Sequence, residues 1–115
     1  MRPERKTGAN EAMLSAGPFQ LDGRAKTIRK DGQLIALSPR EFQLASALMG
    51  NAGQSLSRDA LLAKVWGAFA EVEPQTVSVH MSWLRAKLED DPAHPVYLKT
   101  VRGEGYRFDL PEGNR

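Results

Sequence analysis

The sequence predicts an α+β fold, with short β segments first, three helices in the middle and a β-hairpin at the C-terminal end. Three observations carry this. Asp31-Gly32 sits between two short β-prone runs, as in a hairpin whose type I′ turn needs positive φ at both central residues. Ser38-Pro39-Arg40-Glu41 joins a capping box to a proline at the first helical position, so a helix starts there. Val77, Met81, Leu84 and Leu88 recur at helical spacing ahead of a glycine-rich turn, Arg102-Gly103-Glu104-Gly105.

In chain order, residues 1–16 carry Arg2, Arg5 and Lys6 with Pro3, Gly8 and Asn10 and no sustained apolar period. They read as a flexible linker or tail, with order beginning near Phe19; a basic arm touching DNA phosphates is the other reading. Strands are expected at Phe19–Asp22, Thr27–Lys30 and Gln33–Leu37, forming a small antiparallel sheet. A first helix follows from the Ser38 cap to about Gly50, with Phe42, Ala45, Leu48 and Met49 on its apolar face. Asn51-Ala52-Gly53 breaks it, and 54–56 suit only a brief extended piece.

Ser57 caps a second helix with Leu61, Leu62 and Val65 inward, and Gly67 suits its end. The loop 67–73 contains an aromatic, Phe69, that no period explains. The third helix is expected over 74–89. Opposite its apolar stripe lie Gln75, Thr76, Val79, Ser82, Trp83 and Ala86, with His80, Arg85 and Lys87 on the shoulders. Hydroxyls, an amide, small apolar groups and flanking cations are the types that read base edges and thymine methyls in a major groove. Glu89-Asp90-Asp91-Pro92 ends this helix and reads as solvated carboxylates. The strands Val96–Val101 and Tyr106–Phe108 then make a hairpin, a wing over 96–108, with Thr100 at its base and Arg102 at its tip. Two helices joined by a loop, the second with a readable face and a hairpin beside it, form a winged helix-turn-helix layout. Its loop is longer than the usual turn of about three or four residues.

Composition narrows the function. A chain of 115 residues without cysteine is one domain, 17–110, flanked by the 1–16 tail and a C-terminal tail at 111–115; it forms no disulfide, and a cytoplasmic setting is favoured. No apolar run approaches the roughly 18 residues of a membrane span, so no membrane partner is expected. The net charge of +2 permits an anionic partner without demanding one. No catalytic constellation is visible, and neither a cofactor nor a metal is expected. His80 has only His94 as a counterpart, and Gly103-Glu104-Gly105 lacks the third glycine and the following helix of a nucleotide loop.

Several stretches resemble the DNA-binding effector domains of OmpR/PhoB-type response regulators. They are L-S-P-R-E-F-Q-L at 37–44, L-S-R-D-A-L-L at 56–62, V-W-G at 65–67, T-V-S-V-H-M-S-W-L-R-A-K-L at 76–88 and T-V-R-G-E-G-Y-R-F at 100–108, in family order and with family-like spacing. The resemblance implies a four-stranded N-terminal antiparallel sheet, three helices and a C-terminal wing. It implies sequence-specific binding of double-stranded DNA as a dimer on direct repeats, for transcription regulation in a two-component system. It further implies a phosphorylatable receiver domain ahead of residue 1, and contact of loop 67–73 with RNA polymerase. The residues expected at the DNA are Arg58, Trp66, Gln75, Thr76, Ser78, Val79, His80, Ser82, Trp83, Arg85, Thr100, Arg102 and Tyr106.

Three departures stand out. Gln75 and Trp83 occupy positions where the family usually has Arg, and Ser78 one where it usually has Asp. Trp66 reads equally as core or as a backbone contact at the DNA edge, and Trp83 as facing DNA, a partner subunit or the preceding loop. The alternative function is a winged-helix protein-interaction module with weak or no specific DNA binding. It is supported by the modest charge, Gln75, Ser78 and the outward Val79 and Trp83.

Overall fold

A computed structural model describes residues 13–111. A four-stranded antiparallel meander opens the chain: β1 (Met13–Ala16), β2 (Phe19–Asp22), β3 (Thr27–Lys30) and β4 (Gln33–Ile35), in spatial order β1-β2-β3-β4. Three helices follow, α1 (Pro39–Met49), α2 (Arg58–Trp66) and α3 (Gln75–Leu88), and the hairpin of β5 (Leu98–Val101) and β6 (Gly105–Phe108) ends the fold.

The main departure from the residue-by-residue reading is β1, which supplies the fourth strand that the family resemblance implies. Order does not begin near Phe19: Met13–Ala16 pair along the whole of β2, from Met13 opposite Asp22 to Ala16 opposite Phe19. Four residues are too few to show a period, and the strand exists because β2 offers it an edge. The rest of the expected linker, 1–12, and the C-terminal residues 112–115 lie outside the described residues. The Asp31-Gly32 turn is as expected, with φ of 51° and 84° and Lys30 paired to Gln33.

Ala16, Phe19, Leu21 and Ile28 line the inner sheet face and pack on one core with Phe42, Leu44, Ala45, Leu48, Leu61, Val77, Met81, Leu84, Leu88, Leu98 and Phe108. Both helix caps form as the sequence indicates. Ser38 N–H donates to Glu41 Oε1 at 2.8 Å while Glu41 N–H donates to Ser38 Oγ at 3.2 Å, and Ala60 N–H donates to Ser57 Oγ at 3.0 Å. The hairpin is shorter than expected at its start, because Val96 and Tyr97 turn their N–H groups to the Glu89 carboxylate instead of a strand. Leu56 exchanges two backbone hydrogen bonds with Tyr106, docking the wing beside the start of α2. That contact requires glycine next door: a Cβ at Gly105 would lie 2.1 Å from Leu56 O, and its φ is 141°.

Two charged residues settle where α3 ends. Lys30 Nζ donates to Leu88 O at 2.8 Å and to Asp90 Oδ1 at 2.7 Å, capping the helix C-terminus from the sheet. Glu89 is buried and accepts from the N–H groups of Val96, Tyr97 and Leu98 at 2.7–2.9 Å. Of the acidic cluster read as solvated, Glu89 is therefore structural. Its carboxylate accepts from three consecutive amides where the chain enters β5.

Glu41, also buried, receives Lys87 Nζ at 2.7 Å. Burial pushes its carboxyl up, but Lys87 and the Ser38 N–H together outweigh this and hold it below its ordinary value of 4.5. A depressed carboxylate contributes stability above its unfolded-state pKa and loses it as pH falls through the folded one. Glu41→Gln should therefore lower the thermal unfolding midpoint at neutral pH and flatten its fall below about pH 4.5, so that the two curves converge in acid. Parallel curves in a pH series of thermal melts would show that Lys87 and the cap do not couple to folding.

Candidate nucleic-acid interface

α3 has two apolar sides. Val77, Met81, Leu84 and Leu88 are buried to within 1% exposure and seat the helix on the core. On the outside Gln75, Val79, Ser82, Trp83 and Ala86 are exposed, with Val79 at 44% and Trp83 at 49%. The orientation read from helical spacing is thus the one observed.

The wing lies along one flank of α3, and four expected DNA-contact residues form the joint. Arg85 Nε donates to Leu98 O at 2.9 Å and its Nη2 to Thr100 Oγ1 at 2.8 Å, with the guanidinium 5.7 Å from the centre of the Tyr106 ring. Ser78 Oγ and Tyr106 Oη lie 3.0 Å apart in a hydrogen bond. Tyr106 is buried. Arg85, expected on the helix shoulder as a base reader, thus holds the wing with its planar fork, which lysine cannot copy. Arg102 is exposed at the wing tip. With Arg58, Thr100 and Tyr106 it lines a cleft of about 460 Å³ between the wing and the start of α2.

The other flank is aromatic. Trp66 from α2 meets His80 edge-on at 4.9 Å, and His80 meets Trp83 at 4.7 Å. His80 Nδ1–H donates to Thr76 O at 2.9 Å, which fixes the imidazole between the two indoles. Arg40 of α1 extends the row, its guanidinium 5.8 Å from the Trp66 ring centre. Trp66 is therefore half-buried against the core and part of a surface row at once, and Thr76 acts through its carbonyl. Arg40 is not among the expected site residues, and Lys87, read on the shoulder of the outer face, is instead tied to Glu41 on α1. Spacing alone places neither, since each partner lies on another element. Loop 67–73 stands apart, with Phe69 98% exposed and so not part of the core. Among the described residues no group of His, Cys, Asp or Glu is arranged to hold a metal ion, and no helix is long and apolar enough to cross a membrane.

An exposed helix face flanked by a docked hairpin, on this order of elements, is the architecture of known regulators. Residues 32–108 match the family described as transcriptional regulatory protein, C terminal. The chain belongs to that family, as an OmpR/PhoB-type response-regulator effector domain. It is 42% identical over 102 residues to the sensory transduction protein RegX3 of Mycolicibacterium smegmatis, covering 89% of this chain and 45% of that protein. The chain thus spans about half the length of the curated relatives it matches. Among solved structures, response regulator DrrB of Thermotoga maritima, an OmpR/PhoB homologue, superposes with a TM-score of 0.78 at 33% identity, covering 85% of this chain and 44% of that one. The Klebsiella pneumoniae RstA DNA-binding domain, solved in complex with the RstA box, gives 0.77 at 35% identity over 84% of this chain and 96% of that one. The expected winged-helix fold of four strands, three helices and hairpin is confirmed in full.

The Arg85 joint yields a test that does not depend on DNA. Arg85→Lys keeps the charge but lacks the planar fork that presents separate N–H donors to Leu98 O and Thr100 Oγ1 at once. Losing about 1 kcal/mol of hydrogen bonding there should speed amide hydrogen exchange in 98–106 by about fivefold, with little change in the core of α1. Unchanged exchange in the wing would show that Arg85 does not hold it.

Proposed function

We propose that this chain is the DNA-binding effector part of a two-component response regulator, binding double-stranded DNA sequence-specifically to regulate transcription in the cytoplasm. α3 enters the major groove and the wing the adjacent minor groove. One observation carries the reading: α3 and the two strands of the wing are locked side by side by Arg85, Thr100, Ser78 and Tyr106. A major-groove reader and a minor-groove probe are thereby presented as one rigid surface. The RstA domain, similar in fold and sequence, was solved on DNA, which supports the same use here.

In this reading Gln75, Val79, Ser82 and Trp83 face bases, Arg58 and Trp66 face the phosphates beside α2, and Arg102 reaches the minor groove. Ser78, Arg85, Thr100 and Tyr106 contribute by fixing the wing, and Thr76 and His80 by fixing Trp83. A receiver domain precedes the chain, two copies dimerise on direct repeats, and the exposed Phe69 in loop 67–73 offers an apolar contact to RNA polymerase.

A second reading, a protein-interaction module, draws on the same surface. The two long cations of α3, Arg85 and Lys87, are both bonded within the protein, and the exposed centre of the face is apolar. Footprinting on genomic fragments across a salt series separates the two, because phosphate contacts make affinity fall steeply with salt whereas an apolar protein interface responds little. Protected sites spaced as direct repeats support the regulator, and no protection at low salt contradicts it.

Arg102 has a more specific expectation. An arginine in a narrow minor groove gains from its concentrated negative potential. Arg102→Ala should weaken binding to sites flanked by A-tracts more than to sites flanked by G·C pairs, leaving the preference within the half-site unchanged. Titrations at one salt concentration, on duplexes differing only in the flank, check this. An equal loss on both would make Arg102 a plain phosphate contact.

A further inference from the structure

We infer that Trp83 and Val79 form a thymine-methyl reader, so that α3 selects its half-site by apolar contact where charge is lacking. The inference rests on the DNA-binding reading above and specifies how its central helix discriminates.

Val79, Trp83 and Ala86 are spaced i, i+4 and i+7, so they form a continuous stripe on the outside of α3 as Val77, Met81 and Leu84 do on the inside. Val79 and Trp83 remain 44% and 49% exposed, so each gains free energy when an apolar group covers it. The thymine 5-methyl is the apolar group that base edges present in a major groove. Gln75, one turn before Val79, adds an amide able to pair with adenine N6 and N7, so the row Gln75–Val79–Trp83 matches A·T pairs on both their bases.

Trp83 is also held ready. Its indole packs on His80, which is pinned by Thr76 O and backed by Trp66, so little side-chain freedom is lost on contact. Charge does not compete at this position. Arg85 points to the wing and Lys87 to Glu41, leaving Arg40 at the far end of the aromatic row and Arg58 and Arg102 beside the wing.

The test uses the 115-residue chain and duplexes it selects from a random double-stranded library. Each is resynthesised with deoxyuridine for thymidine, which removes the methyl and leaves every hydrogen-bonding group in place. The expected result is enrichment of A·T-rich half-sites and a loss of about fourfold in affinity for each contacted methyl removed, the worth of burying one such group. Trp83→Ala should lose this penalty at one or more thymines. Trp83→Arg should lose it there too while its log K against log salt slope steepens by about one phosphate contact. Circular dichroism confirms that both variants, altered at a half-exposed side chain, are folded. Equal binding of thymidine and deoxyuridine duplexes by the unaltered chain, or a penalty in both variants as large as that of the unaltered chain, overturns the inference but leaves DNA binding standing. A library from which nothing is enriched overturns the DNA-binding reading itself.

Discussion

The seating of α3 is the constraint on which the functional side of this domain depends. Val77, Met81, Leu84 and Leu88 are buried along one stripe, each contributing about 1.5–3 kcal/mol, so that together they exceed what any single polar contact supplies. A helix held only by such a stripe could still roll or slide. Lys30 and Glu89 fix its C-terminal end, Lys87 ties it to Glu41 of α1, and Arg85 and Ser78 tie it to the hairpin. Packing thus supplies the stability and the polar contacts supply the direction in which the outer face looks.

This division explains why much of the charge near α3 is unavailable to a ligand. Two cations that lie on the helix by sequence serve the fold by structure. Arg58 and Arg102 line the cleft beside the wing and Arg40 lies against Trp66, while the centre of the surface is an amide, a hydroxyl, Val79 and an indole.

Local signals made most of the fold legible. The Asp31-Gly32 turn, the Ser38 and Ser57 caps and the Val77-to-Leu88 stripe each depend on residues within a few positions, and each forms as the spacing indicates. The misreadings are non-local. β1 is defined by its pairing with β2 and not by any pattern in Met-Leu-Ser-Ala. Glu89 looks solvated beside two aspartates, and only the path of 96–98 around its carboxylate buries it. Arg85 appears on the edge of a readable face until Leu98 and Thr100, 13 and 15 residues later, come back beside it. The Trp66–His80–Trp83 row joins residues from two helices across a loop, which helical spacing on either one cannot show.

The central claim is that the outer face of α3 and the wing act as one surface on DNA. It is tested most directly by titrating the isotopically labelled chain with a footprinted duplex and following its backbone amide resonances. The account predicts that the largest shifts fall together on 75–86, on 100–106 and on the start of α2 at Arg58. The outer face of the sheet, at Gln20, Arg29 and Leu34, should stay unmoved. Shifts centred on that sheet face, or on loop 67–73 with α3 silent, would contradict it.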